Sequence, residues 1–171
     1  KLKTDVLETV SGSGTIALTN QLSGMTTASL PSGSVLQVVS SQFTLGAIST
    51  SSTSYVSTGV GLSITPTSST SKILVRVTGG RAQNPYVSQF MTNTVYRSGT
   101  VDLANDSTGL EVIGGGLNTL VVVPHSMEAE DSPATTSSVN YTCYFKSSTG
   151  QPHVYFTQSS NITITLMEIK G

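Results

Sequence analysis

The hydrophobic pattern of this chain repeats every second residue, and the spacing of three to four that marks a helix is almost absent. Val56, Thr58, Val60, Leu62 and Ile64 fall on one face of an extended segment. Residues 66–71 supply a polar turn, after which Ile73, Val75 and Val77 point one way and Leu74, Arg76 and Thr78 the other. Two such runs around a turn read as a β-hairpin. The same alternation predicts strands over residues 35–43, 87–97, 119–123, 139–146, 153–157 and 161–169. Turn signals separate them at Gly79-Gly80, Asn84-Pro85, Ser98-Gly99, Gly114-Gly115-Gly116, Ser132-Pro133 and Gly150-Gln151-Pro152. Strands of this length and spacing imply an all-β fold, an antiparallel β-sandwich of jelly-roll-like form.

The 171 residues give room for one domain with a real core and a short accessory segment. Only 10% of them are charged, against about a quarter in typical soluble domains. Serine and threonine, 54 in all, take that place and give a polar, nearly neutral surface. A net charge of −1 with scattered Lys and Arg leaves no electrostatic footprint for nucleic acid. No apolar run approaches the ~20 residues needed to cross a bilayer, and no basic amphipathic helix appears that would lie on one. Neither nucleic acid nor membrane insertion is expected. The single cysteine, Cys143, excludes an intrachain disulfide. It shares a strand face with Val139, Tyr141 and Phe145 and is read as a small buried hydrophobe.

With so many hydroxyls and two histidines, some combination of Ser, His and Asp is unavoidable, yet the Gly-x-Ser-x-Gly of a nucleophile elbow does not occur. Glu128, Glu130 and Asp131 form an acidic cluster expected on a solvated loop. Asp102, Asn105 and Asp106, followed by Ser107 and Gly109, form a second group of oxygens of the type hard cations prefer. The first cluster lacks the glycine of an EF-hand loop, and His125 and His153 stand apart from other ligating residues. No metal, no cofactor and no enzymatic activity is expected. There is no Trp to stack on a sugar ring. Of six Tyr, five lie within or beside predicted strands and Tyr86 follows Asn84-Pro85 in a loop.

The C-terminal third reads Asp131-Ser-Pro-Ala-Thr-Thr-Ser-Ser-Val-Asn-Tyr-Thr-Cys-Tyr-Phe145 and closes on Ile162-Thr-Ile-Thr-Leu-Met-Glu-Ile169. In this order of turn, alternating strand, turn and final strand it resembles the C-terminal tip, or knob, of tail fibres from marine and cyanobacterial bacteriophages. Pro31-Ser-Gly-Ser-Val-Leu-Gln-Val-Val39, residues 49–56 running into 61–75, and Val95-Tyr-Arg-Ser-Gly-Thr100 extend the resemblance over most of the chain from Pro31 onward. Residues 83–95 and 111–119 match least. The resemblance implies a virion protein, extracellular on the phage tail, joined to upstream tail proteins and assembled as a homotrimer. The chain begins at Lys1 without an apolar leader and is expected to be the distal part of a longer protein.

Two regions follow: a neck or shaft segment over residues 1–30 and a β-sandwich tip over 31–171. In the first, a short hairpin cannot bury Leu2, Val6, Leu7, Ile16, Leu18 and Leu22 alone. Leu7, Ile16 and Leu18 are candidate trimer contacts, where a three-fold neck would bury them; folding back on their own sandwich is the alternative. Receptor contacts are expected on loops held by the scaffold. Arg81, Gln83, Asn84 and Tyr86 offer hydrogen-bonding groups and one ring in a Gly/Pro-shaped loop, and Gln151 and His153 form a second polar set. The expected function is adhesion to a host cell-surface glycan or protein. A carbohydrate-binding module or a capsid decoration protein is the alternative.

Overall fold

A computed structural model describes residues 29–85, 88–115, 120–149 and 154–171. Residues Ser32–Gly171 make up one compact unit; the expected neck contacts Leu7, Ile16 and Leu18 lie outside the described residues. Among the described residues the strands are β1 (Val35–Leu45), β2 (Ile48–Thr50), β3 (Val56–Ile64), β4 (Lys72–Asn84), β5 (Phe90–Arg97), β6 (Val101–Asp102), β7 (Glu111–Gly114), β8 (Val121–Asp131), β9 (Val139–Ser147), β10 (Val154–Thr157) and β11 (Ser160–Ile169). The described residues include no helix long and apolar enough to cross a membrane.

The strands form two antiparallel sheets. In the first, β11 lies between β1 and β4, while β8 pairs the other edge of β4. Short β2 and β10 continue the β1–β11 pair beyond a break, with Thr50 opposite Val154 and Tyr155 opposite Gln83 of β4. In the second, β9 lies between β3 and β5, and β7 and β6 pair successive halves of the free edge of β5. Most connections pass from one sheet to the other, so sheet neighbours are distant in sequence and the first strand pairs the last.

Alternation places one face of each sheet inward. Val139, Tyr141, Cys143 and Phe145 of β9 are all buried, and so are Ile162, Ile164 and Leu166 of β11. They meet Ile73, Val75 and Val77 of β4 in a single core. Each aliphatic or aromatic side chain removed from water there contributes about 1.5–3 kcal/mol. Burial pushes the Cys143 thiol up to about 12, which keeps it protonated and inert.

Four sequence expectations are corrected. The runs either side of residues 66–71 are β3 and β4, but they do not pair: β3 binds β9 and β4 binds β11 and β8. Each has one apolar face, and burying the two faces against each other across the sandwich satisfies the same pattern as a hairpin would. Gly79-Gly80 is no turn either; β4 runs through it as a bulge, with φ of 86° and 75°. The extra residue moves the inward set from Ile73, Val75 and Val77 to Ala82 and Asn84. The predicted strand at 119–123 extends to Asp131, so Glu128 and Glu130 stand on the outward side of β8 rather than on a loop. There they meet Arg76 and Lys72 of β4, exposed pairs worth little. Finally, β2, β6 and β7, of three, two and four residues, were too short for periodicity to register.

The bulge generates a stability prediction. A Cβ at Gly79 would sit 3.0 Å from the Asn161 carbonyl oxygen, and one at Gly80 would sit 3.1 Å from His125 Cδ2. Gly79→Ala and Gly80→Ala should each cost about 1–3 kcal/mol, from the left-handed conformation plus the contact. Gly33→Ala, also at positive φ but with nothing within 4 Å, should cost only the conformational part. Urea unfolding midpoints give the comparison.

Candidate functional site

The interior polar groups are structural. His125, on β8, is buried and stacks on Phe156 with ring centroids 4.3 Å apart. Its Nε2 lies 2.7 Å from the Phe156 carbonyl oxygen and its Nδ1 meets the Glu111 carboxylate. The Phe156 carbonyl can only accept, so Nε2 is the donor there. Burial pushes the Glu111 carboxyl upward, but His125, the Ser126 N–H and the Asn93 amide outweigh it and hold the group below its ordinary value. At the other end of the sandwich Arg97 donates to both oxygens of Asp131 at 2.8 and 3.0 Å, and the Tyr141 hydroxyl donates to Asp131 at 2.7 Å. Glu168, buried in the last strand, accepts from Gln37 and from the amide and hydroxyl of Thr67. Burial raises its carboxyl while these donors and the nearby Ser71 hydroxyl bring it below the ordinary value.

The second acidic group is spent on its own loop. Asp106 Oδ1 accepts from the amide and hydroxyl of Thr108 and from the Gly109 amide. Asp102 accepts from the Thr94 hydroxyl and the Ala104 amide. Among the described residues no group of three His, Cys, Asp or Glu is placed to hold a metal ion.

The outer face of the second sheet carries a different arrangement. Outward positions of β5 and β9 pair as Thr92 with Lys146, Thr94 with Tyr144 and Tyr96 with Thr142. Tyr55, Tyr96 and Tyr144 form a ring cluster with successive centroids 5.9 and 4.3 Å apart, and Lys146 Nζ lies 4.3 Å above the Tyr55 ring. The segment between β6 and β7 closes over this cluster. Leu103 and Leu110 donate backbone bonds to Val95 and Asn93, and Lys146 donates to the Ser107 carbonyl. Gly109 packs where a Cβ would be 2.8 Å from the Tyr55 hydroxyl. Burial first, then the charge of Asp102, raises the Tyr55 hydroxyl and keeps it neutral.

Beside this wall lies an open cleft of about 380 Å³ lined by Thr53, Phe90, Thr92, Ser107, Thr108, Val112, Lys146, Ser147 and Ser148. Phe90 and Val112 are 50% and 51% exposed. They stand on neighbouring strands, one diagonal step apart. Phe90 stands opposite Gly114 on β7, and a Cβ at Gly114 would sit 3.5 Å from the Phe90 ring. The Cδ1–Cε1 edge of the ring therefore lies beside the glycine, while half of the residue stays exposed. Its backbone is fixed as well: the Phe90 amide donates to the Ser148 hydroxyl and its carbonyl accepts from the Ser148 amide.

The residues singled out from sequence are placed elsewhere. Arg81 is exposed and Gln83 half-buried at the end of β4, outward on the first sheet and so on the opposite face from the cleft. Asn84 is corrected: it is fully buried, and its amide donates to the Gln89 and Ile113 carbonyls. The bulge that turns it inward removes it from any surface contact. Tyr86, Gln151 and His153 lie outside the described residues. Phe90 and Thr92 were missed because β5 alternates two mixed faces, and Val112 and Lys146 because nothing local shows that β7 and β9 lie beside β5. The sequence signal available was the exposed-type spacing of Phe90, Thr92, Thr94 and Tyr96.

The carboxylates give a pH prediction. Because Glu111 and Glu168 titrate below their ordinary value of 4.5, folding favours their ionised forms. That contribution is complete above the ordinary value and is lost as pH falls through the lowered ones. Stability should therefore drop between neutral pH and pH ~3. Glu111→Gln should cost about 1–3 kcal/mol at neutral pH, because His125, the Ser126 N–H and the Asn93 amide lose the carboxylate they share, and should flatten part of the acid-side slope in urea titrations.

No known protein-family model matches the sequence and no curated protein matches it, so the chemistry of the cleft carries the functional conclusion.

Proposed function

We propose that this chain is the adhesive tip of a bacteriophage tail fibre, a homotrimer on the virion that binds the host cell surface without turnover. The observation that carries the adhesive reading is the open cleft, where a half-exposed aromatic ring sits among hydroxyls on a rigid sheet. Support comes also from the strand order. With β1/β2 and β10/β11 each counted as one, the sheets run β1-β11-β4-β8 and β3-β9-β5-β6/β7, the order of a jelly roll, an architecture of viral capsid and lectin domains. The carboxylates described are all engaged in structural contacts, which supports binding rather than acid–base chemistry. Phe90, Thr92 and Val112 fall in the segments where the tail-fibre resemblance is weakest, where a receptor-specific surface is free to vary.

Assembly is supported by the sheet edges. Exposed edges invite pairing with other chains unless they are short, charged, bulged or interrupted by proline. The edge strand β8 carries Pro124, Glu128 and Glu130, β3 is bulged between Ser57 and Gly61, and β6 and β7 are very short. In contrast, β1 runs for eleven residues without a charge or a proline, its only irregularity lying at Val35/Gln37. Val35 and Val38 on it are 52% and 55% exposed, and Val38 stands in line with Met167 and Leu74 on the outer face. A neighbouring copy is the proposed cover.

Two measurements test the reading. Light scattering on the purified chain should give three copies, and Val38→Glu should shift the mass to one copy with the β-sheet spectrum intact. A stable monomer of the unaltered chain at micromolar concentration would overturn the trimer and favour the carbohydrate-binding module. Fluorescently labelled chain should coat susceptible cells among marine cyanobacterial strains, and Phe90→Ala should lower coating at least ~10-fold with thermal stability changed little, since exposed substitutions usually cost within ~0.5 kcal/mol. Undiminished coating by a folded Phe90→Ala chain would move the receptor site elsewhere.

A further inference from the structure

The geometry points to a neutral pyranose, one sugar ring of a glycan without an acidic substituent, as the ligand of the cleft on the second sheet. This deepens the adhesive reading and rests on it only for biological context. The cleft volume of about 380 Å³ falls in the lower part of the ~300–1,000 Å³ range of small-molecule sites. Its floor is apolar on one side. The half-exposed Phe90 ring has one edge beside Gly114, and Val112 stands one diagonal step away across the strand pair. A pyranose presents axial C–H bonds on one face, which suits the electron-rich face of an aromatic ring, and carries hydroxyls around its rim.

The rim of the cleft matches that second property. Its polar side chains among the described residues, apart from Lys146, are hydroxyls, which can both donate and accept. The Ser148 hydroxyl accepts from the Phe90 amide and keeps its hydrogen to give, while the Thr108 hydroxyl donates to Asp106 and keeps lone pairs to receive. A carboxylate or phosphate ligand, which only accepts, would use half of that capacity, and so would an ammonium, which only donates.

Charge decides against an acidic sugar. Among the described residues Lys146 is the one cation lining the cleft, and its ammonium is already held by the Ser107 carbonyl and the face of Tyr55. Asp106 stands close enough to feel it: hydrogen bonds from Thr108 chiefly, with Lys146 adding to them, hold the Asp106 carboxyl below its ordinary value. The one ammonium is thus already engaged by a carbonyl and a ring, with an opposite charge on the neighbouring loop, which leaves an anion little advantage over a neutral ring.

Ligand-observed NMR on the whole chain provides the test, with methyl β-D-glucopyranoside, methyl β-D-galactopyranoside and D-glucuronate as probes. At least one neutral glycoside should bind with Kd on the order of 1 mM, as expected for a ligand of this size. Raising NaCl from about 50 to 500 mM should leave that Kd within about two-fold, because no ion pair is formed. Phe90→Ala should weaken binding at least ~10-fold and Phe90→Tyr should retain it, both with unchanged melting temperature. Binding of glucuronate alone, a strong salt dependence, equal affinity in folded Phe90→Ala, or no binding by any glycoside would each overturn the inference. If glycosides bind as stated but no cell is coated, the pyranose site stands and the tail-fibre role falls. If cells are coated through Phe90 but only glucuronate binds, the role stands and the neutral-sugar assignment falls.

Discussion

The bulge at Gly79-Gly80 is the constraint on which most of this molecule depends. Strand β4 pairs along both edges for thirteen residues, with β8 on one side and β11 then β10 on the other. Unbroken alternation after Val77 would carry Arg81 and Gln83 to the inward face. One extra residue prevents this, sending Ala82 and Asn84 inward after Val77. The same two glycines leave room for His125 and Ile162 to pack against the backbone. Asn84, once turned inward, reaches across to the Gln89 and Ile113 carbonyls, the backbone on either side of the cleft floor. A local irregularity in one sheet therefore fixes the surface of the other.

The two sheets are also joined by charges that hydrophobic packing does not require. His125 on β8 meets Glu111 on β7, and Asp131 at the far end of β8 meets Arg97 on β5. Both ties run from the first sheet to the second through one strand. Buried ion pairs contribute modestly to net stability because desolvation offsets their attraction, but a shifted register would leave each member buried and alone. In a chain with so few charged residues, their concentration along β8 is best understood as setting how the sheets align. An apolar core of interchangeable Val and Ile side chains specifies alignment weakly.

Much of the fold was legible in the sequence, and the failures share a cause. Period two identified β1, β3, β9 and β11 nearly to their ends and placed Cys143 correctly in the core, because each has one apolar and one polar face. Periodicity says nothing about which strand lies beside which, so two alternating runs around the polar turn at 66–71 read as a hairpin whether or not they pair. It also fails where both faces are mixed. On β5 the inward set is Met91, Asn93, Val95 and Arg97 and the outward set includes Phe90 and Tyr96, a division made by partners on β7, β8 and β9 that no local window contains. Asn84 reads as a surface group for the same reason: a polar side chain before a proline looks like a loop residue until the bulge behind it is known.

The cleft and the proposed assembly bear on each other through affinity. One aromatic ring and a few hydroxyls bury little of a ligand, and hydroxyl pairs exchanged with water contribute only about 0.5–1.5 kcal/mol each. What the site has in its favour is rigidity, with Phe90 beside Gly114 and clamped to Ser148, so little ordering is lost on binding. Weak, preorganised sites become adhesive when several act together. Linking two or more of them raises avidity by about 10²–10⁴ without any new contact, provided the geometry lets them bind at once. On the proposed reading, an uncharged β1 edge that gathers copies and a shallow neutral cleft that binds each sugar weakly belong to one design: attachment that is reversible at each contact and firm in their sum.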